Sequence, residues 1–284
     1  MAKSREVRSL KPASRNRQRS RKILGRHPQA PHILGITLHA KNGRTRTNLP
    51  HRQLAGIPRQ GRRFIAWMRD TLRRHHASPE TLNRAKELRD AIEQLGFMAQ
   101  QAQIGPFPTN PSTQKGNMAE VFLAEYICAS CGVELPVFRL RYNPNINQSM
   151  KGDDVLAVDL DANPVRLVVG EAKFRGHATA AAVRGITGAL VRSHSAGVPI
   201  SLQFVADRLF ETGRAELGAR VLACAILMAR GDLQIDYIGL LLGDVGSADK
   251  VRNHRDATNL NLAMISAEFQ NPVGLAESCY RDLE

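Results

Sequence analysis

Residues 152–173, GDDVLAVDLDANPVRLVVGEAK, constrain the fold more than any other stretch of this chain. They read as a β-hairpin. Asp154 to Leu160 is one strand candidate and Val165 to Lys173 the other, with turn chemistry at Asp161-Ala162-Asn163-Pro164 between them. Pairing Leu160 with Val165 sets the register, and a two-residue loop at Ala162-Asn163 gives the same one. Asp154 then faces Glu171, Gly152 faces Lys173, and Asp153 faces Ala172 on the opposite side. Directly opposed residues share a face, as do residues two apart on a strand. The register therefore gathers Asp154, Glu171 and Lys173 on one face and turns Asp153 away. Opposed like charges are normally destabilising. Two acids placed there call for a cation between them, and a divalent metal suits carboxylate oxygens.

Charge points the same way. The chain of 284 residues has a net charge of +14. Residues 1–26 hold ten Lys or Arg and one acid, Glu6, so this tail carries +9 of it. A basic chain with a concentrated tail suits a polyanion, most commonly nucleic acid. The tail, residues 1–30, lacks apolar periodicity and is expected to be disordered when free. Four cysteines offer no disulfide framework. Cys128-Ala-Ser-Cys131 is a lone CxxC without a second ligand pair, so both thiols read as small buried groups. No apolar run approaches the roughly 18 residues of a membrane span, and no membrane association is expected. The Arg- and Ser-rich start also has transit-peptide composition; the expected location is the cytoplasm.

Along the chain, Ile33–Leu38 is a short strand candidate, and residues 41–59 read as a basic loop. Gly61–His76 has helical periodicity, with Phe64, Met68 and Leu72 on one side and Arg62, Arg69 and Arg73 on the other. Ser78-Pro79-Glu80 starts a second helix, expected to stop near Gly96. Residues 31–104 thus form a helical N-terminal region, and the proline-rich 105–116 a linker. Asn117–Ala129 is a third helix, carrying Glu120 at the margin of its apolar face. Val133–Arg141 is a strand candidate. After the hairpin come a helix from His177 to Arg192, two helices within 199–229 broken at Thr212-Gly213, and a strand at Leu233–Leu242. A strand at Leu260–Ile265 and a short helix after Pro272 complete the reading. Residues 117–284 make one α/β domain.

The order helix, strand, strand, strand, helix, with acids on the central hairpin, resembles the core of the PD-(D/E)xK nuclease superfamily. The resemblance rests on Glu120 in KGNMAE, Asp154 in KGDDVL, and Glu171-Ala172-Lys173 in VVGEAK, with Gly152-Asp153 standing where a plain proline would precede the aspartate. An ExK tripeptide alone carries almost no information. Here it ends an apolar strand, seventeen residues after Asp154, in a register that sets the two acids face to face. The resemblance implies a restriction-endonuclease-like fold, a mixed sheet flanked by helices. It also implies a Mg²⁺- or Mn²⁺-dependent deoxyribonuclease. Asp154 and Glu171 would ligate the metal with the Ala172 carbonyl, Glu120 would hold a second metal or its water, and Lys173 would orient or deprotonate the attacking water.

A narrower resemblance extends over residues 115–210. FRLRYNPNINQSMKGDDVLAVD, with KGNMAE before it and GEAKFRG after it, is similar to the nuclease subunit of Hachiman-type anti-phage defence systems. That resemblance implies a superfamily 2 helicase as protein partner and a nuclease silent until the partner senses foreign or damaged DNA. Arg62, Arg69, Arg73, Arg139, Arg141 and Lys151 are the candidate nucleic-acid-binding residues. The alternatives are a restriction endonuclease or junction resolvase of the same fold, and a non-catalytic nucleic-acid-binding subunit.

Overall fold

A computed structural model of the protein describes residues 23–96, 105–281 and 283. The tail up to residue 22, expected to be disordered, lies outside the described residues.

From Ile33 the chain forms a five-residue helix, α1 (Ile33–Thr37), then a hairpin of β1 (Leu38–Arg44) and β2 (Pro50–Gly56). Helices α2 (Gly61–His76), α3 (Pro79–Gln94) and α4 (Pro111–Cys131) follow. A 3₁₀ turn at Arg139–Tyr142 leads to β3 (Val155–Asp159) and β4 (Val165–Arg175). Then come α5 (Ala180–Ser195), α6 (Ser201–Glu211), α7 (Ala215–Arg230), β5 (Leu233–Gly243), α8 (Ser247–Arg252), β6 (Leu262–Glu268) and α9 (Pro272–Tyr280).

The six strands form one mixed sheet in the order β1-β2-β6-β5-β4-β3. β2, β6, β5 and β4 run parallel, and β1 and β3 close the two edges antiparallel. Strand alternation explains the layering, because successive side chains point to opposite faces. Val155, Ala157 and Val168 face one layer, built from α2, α4, α9 and the segment at Ile23-Leu24. Leu156, Val158, Leu167 and Val169 face the other, built from α5, α6, α7 and α8. The result is a three-layer α/β/α arrangement, in line with the α/β class and mixed sheet expected from sequence.

Several expectations need correction. Ile33–Thr37 is helical, not a strand; His32 caps it by accepting the Leu34 amide, and the Thr37 hydroxyl donates back to the Ile33 carbonyl at 2.8 Å. The 41–59 loop is largely the β1–β2 hairpin, so the N-terminal region is not purely helical. α4 begins at Pro111, inside the expected linker, because Asn110 accepts the amides of Ser112 and Thr113 and Pro111 has a helical φ built in. Residues 133–141 pair only through a bridge between Glu134 and Val158 before entering the 3₁₀ turn. The end of the basic tail is docked rather than free. Ile23 and Leu24 are fully buried, and the Arg26 amide donates to the Ser130 carbonyl at 2.9 Å.

Candidate active site

The hairpin has the expected register. Val155 pairs with Gly170 and Asp159 with Arg166, which carries Asp154 to the position opposite Glu171. The ladder continues there through a side chain, as the Ala172 amide donates to Asp154 Oδ2 at 2.8 Å. Glu171 and Lys173, two apart on β4, lie on the same face, with Lys173 Nζ 3.1 Å from Glu171 Oε1. Two glycines make the close packing here possible. A Cβ on Gly185 of α5 would lie 2.9 Å from Lys173 Cε, so its absence gives the lysine stem its course. A Cβ on Gly170 would lie 2.9 Å from Val155 Cβ and 3.0 Å from Leu123 Cδ2. Gly170 thus lets α4 press onto β4, and Glu120, one turn before Leu123, reaches the end of the hairpin.

The acids repel one another in a partly dry setting. Burial pushes Glu120 up to about 8; Asp154 and Glu171 add to the rise, while Arg139 opposes it. Burial and the Asp154 charge push Glu171 up to about 7, against the pull of Lys173. Asp154 is also raised, mainly by burial, although the Ala172 amide, Arg139 and Lys173 all favour its ionised form. Such groups favour a proton or an added cation. Among the described residues no three His, Cys, Asp or Glu side chains form a ready-made metal cluster. Mg²⁺ typically takes only one or two carboxylates and keeps several waters, so the oxygen set of Asp154, Glu171 and the Ala172 carbonyl fits that ion.

Asp153 has a different job from its neighbour. It is buried, and its carboxylate accepts from the Ser193 hydroxyl at 2.6 Å and the Ser201 amide at 3.1 Å, while its own amide donates to Ser201 Oγ at 2.9 Å. It caps α6 and ties the loop before β3 to α5 and α6.

The six cations singled out from sequence have different surroundings. Arg62 is exposed in the first turn of α2. Arg69 donates twice to the Ser278 carbonyl, at 3.0 and 2.8 Å, joining α2 to α9. Arg73 pairs with Asp70 at 3.3 Å. Arg141 lies over the Phe138 ring, 4.7 Å from its centroid, and Lys151 is exposed. Arg139 turns inward. Its Nε is 3.6 Å from Glu120 Oε1 and its Nη1 3.5 Å from Asp154 Oδ1. Sequence reasoning missed this inward course and the roles of Ser193 and Ser201, none of which leaves a local signature. Gly185 had a faint one, in the Ala- and Gly-rich composition of its helix.

The cleft beside these acids is lined by His75, Leu135, Val137, Phe204 and Val205 as well. No helix among the described residues is long and apolar enough to cross a membrane. The lone CxxC holds raised thiols: burial pushes Cys128 up to about 12, and Cys131 lies 3.3 Å from the Ile23 carbonyl.

Comparison with known proteins places the chain beside a described family and a relative. The family model described as HamA matches residues 51–271, which takes in β3 to β6, all of β2 but Pro50, and Glu120, Asp154 and Glu171. The Hachiman protein HamA of Bacillus cereus is 34% identical over 207 residues, covering 73% of this chain and 74% of the relative.

Proposed function

The chain belongs to the HamA family, and on that premise we propose that it is an anti-phage defence effector that hydrolyses phosphodiester bonds of DNA. The observation that carries the reading is the convergence of Asp154, Glu171 and Lys173 on one face of the hairpin, with Glu120 reaching them from α4 and the Ala172 amide fixing the Asp154 carboxylate. Metal-dependent phosphodiester hydrolysis uses this combination of hard oxygen ligands and a cationic side chain.

Asp154, Glu171 and the Ala172 carbonyl would hold Mg²⁺ or Mn²⁺, which when bound supplies Lewis-acid polarisation of a phosphoryl oxygen and a more acidic water. Lys173, held against Glu171 and seated over Gly185, orients the attacking water and stabilises negative charge as it grows on the phosphate. Glu120, whose proton affinity is raised by burial and by Asp154 and Glu171, accepts or releases a proton at its Oε atoms as the local charge changes. The apolar wall of Leu135, Val137 and Val205 limits bulk water on one side of the cleft. We extend the proposal to regulation: a superfamily 2 helicase partner holds the nuclease silent until it meets foreign or damaged DNA.

The test is cleavage of linear, nicked and supercoiled DNA by the purified protein with Mg²⁺, alone and with the helicase partner. Glu171→Gln and Lys173→Ala are expected to lower cleavage at least about 10³-fold while DNA binding persists. Absence of cutting by the wild type in every arm, with binding intact, would instead favour a non-catalytic DNA-binding subunit.

A further inference from the structure

Arg139 does not behave as a surface cation. Its side chain is only 11% exposed and points between Glu120 and Asp154. The guanidinium donates to the backbone carbonyls of Asp153 and, at 3.2 Å, Lys151. Its two contacts with the carboxylates, at 3.6 and 3.5 Å, are longer than the roughly 2.7–2.9 Å of a tight charge-assisted pair. Its strong bonds therefore go to the loop, and its charge goes to the acids.

The base of this arm is fastened from outside. Phe138, the residue before it, packs against His75 with ring centroids 4.5 Å apart and carries the Arg141 guanidinium at 4.7 Å. Arg141 in turn donates to the Arg74 carbonyl at 3.0 and 2.7 Å. The C-terminal turn of α2 thus anchors the 3₁₀ turn, and the Arg139 side chain extends from that anchor into the cleft.

We propose that Arg139 is a built-in counter-ion of the acidic site, which balances Glu120 and Asp154 while no metal is bound and withdraws from between them when a divalent cation enters. This rests on the reading of Asp154 and Glu171 as metal ligands. Without a compensating charge, three carboxylates crowd one half-buried cleft. A guanidinium, charged in all protein environments, supplies that compensation without a metal. It also opposes the metal, because a divalent ion between the acids would stand beside a fixed positive charge. The carboxylate contacts are loose, so withdrawal costs mainly the bonds to the Asp153 and Lys151 carbonyls, which repulsion by the divalent ion must outweigh, while the Phe138 anchor keeps the base of the arm in place.

Mn²⁺ binding to the full chain, followed by electron paramagnetic resonance and by thermal denaturation in EDTA and in Mn²⁺, tests the proposal with Arg139→Gln, Arg139→Lys and Glu171→Gln. Both Arg139 variants disturb the forked bonds to the loop, but only Arg139→Gln removes the charge. Arg139→Gln is expected to bind Mn²⁺ about tenfold or more tightly than Arg139→Lys and the wild type, the size of effect that one charge within about 4–6 Å exerts on an ionic equilibrium. It should also melt lower in EDTA and regain more on adding Mn²⁺. Equal or weaker Mn²⁺ binding by Arg139→Gln overturns the proposal and leaves the metal reading standing. No Mn²⁺ binding by the wild type, or undiminished binding by Glu171→Gln, removes the metal reading and the proposal with it. Should Arg139→Gln fail to fold, phenylglyoxal labelling of the wild type decides: Mn²⁺ must increase modification of Arg139, and protection of it by Mn²⁺ overturns the withdrawal.

Discussion

Glu120 makes stability depend on pH in a predictable direction. Its folded-state value of about 8 lies above the usual glutamate range near 4.3. The folded protein therefore holds this proton longer than the unfolded chain does. The ionised carboxylate costs stability, and the cost is absent below about pH 4, grows through the interval up to about 8, and is complete above it. Glu120→Gln removes the ionisation and keeps the shape. In EDTA it is expected to raise stability at pH 8–9 by a few kcal/mol at most, since each tenfold change in proton affinity is worth on the order of 1.4 kcal/mol. At pH 4–5 the variant and the wild type should melt within about 0.5 kcal/mol of each other. Urea titrations at the two pH values check this; an equal gain at both would mean that the effect is packing and not charge.

The loop that launches β3 assigns opposite tasks to adjacent aspartates. Asp153 satisfies the Ser201 amide and the Ser193 hydroxyl in the interior, whereas Asp154 reaches the cleft. Asp153→Ala leaves buried donors unmatched and should cost about 2–4 kcal/mol. Asp154→Ala should change stability by about 1 kcal/mol or less, since the lost bond to Ala172 is offset by relief from Glu171, yet it should abolish cleavage. Denaturant unfolding and DNA cleavage of the two variants separate the tasks, and full activity in Asp154→Ala would exclude it from the site. This division was legible in the sequence, because the turn at 161–164 sets one register, and a slip of one residue would reverse every face. The helices at 61–76 and 79–94 were legible for the same kind of reason, through period and caps. The β1–β2 hairpin was not. β1 is an edge strand whose residues after Leu38 are mostly exposed, so it shows no apolar alternation, and β2 buries a charged side chain, Arg52. Nor was the inward course of Arg139, which depends on a fold-level contact between α2 and Phe138.

At the scale of the molecule, two arginines, Arg52 and Arg166, tie distant segments to the sheet. Arg52 donates to the carbonyls of Leu24 and Gly25 at 2.9 Å each, to Tyr126 Oη at 3.2 Å and to Asn42 Oδ1 at 2.8 Å. Arg166, paired with the buried Asp236 at 2.6 Å, donates to the Ile23 carbonyl at 3.0 Å. Backbone carbonyls as partners explain why the docking of 23–26 left no mark in the composition of the tail. Arg52→Ala should therefore release this segment first. Hydrogen exchange is expected to speed up at Arg26, whose amide is protected by Ser130, with a local loss of about 2–4 kcal/mol. Exchange in β4 and β5 should stay near the wild-type rate; equal acceleration there would mean that Arg52 supports the whole sheet.

The strand order also sets a timetable for synthesis. β2 joins the sheet through β6, where His51 pairs with Met264, more than two hundred residues later in the chain. The β1–β2 hairpin is synthesised long before β6 and must wait for that strand before its inner edge is covered. Long-range closures of this kind are slow and leave an unpaired edge exposed meanwhile. The Lys, Asn and Arg side chains of β1 guard its outer edge permanently, but the inner edge of β2 has only its own Arg52 and His51 to discourage a wrong neighbour until the C-terminal segment arrives.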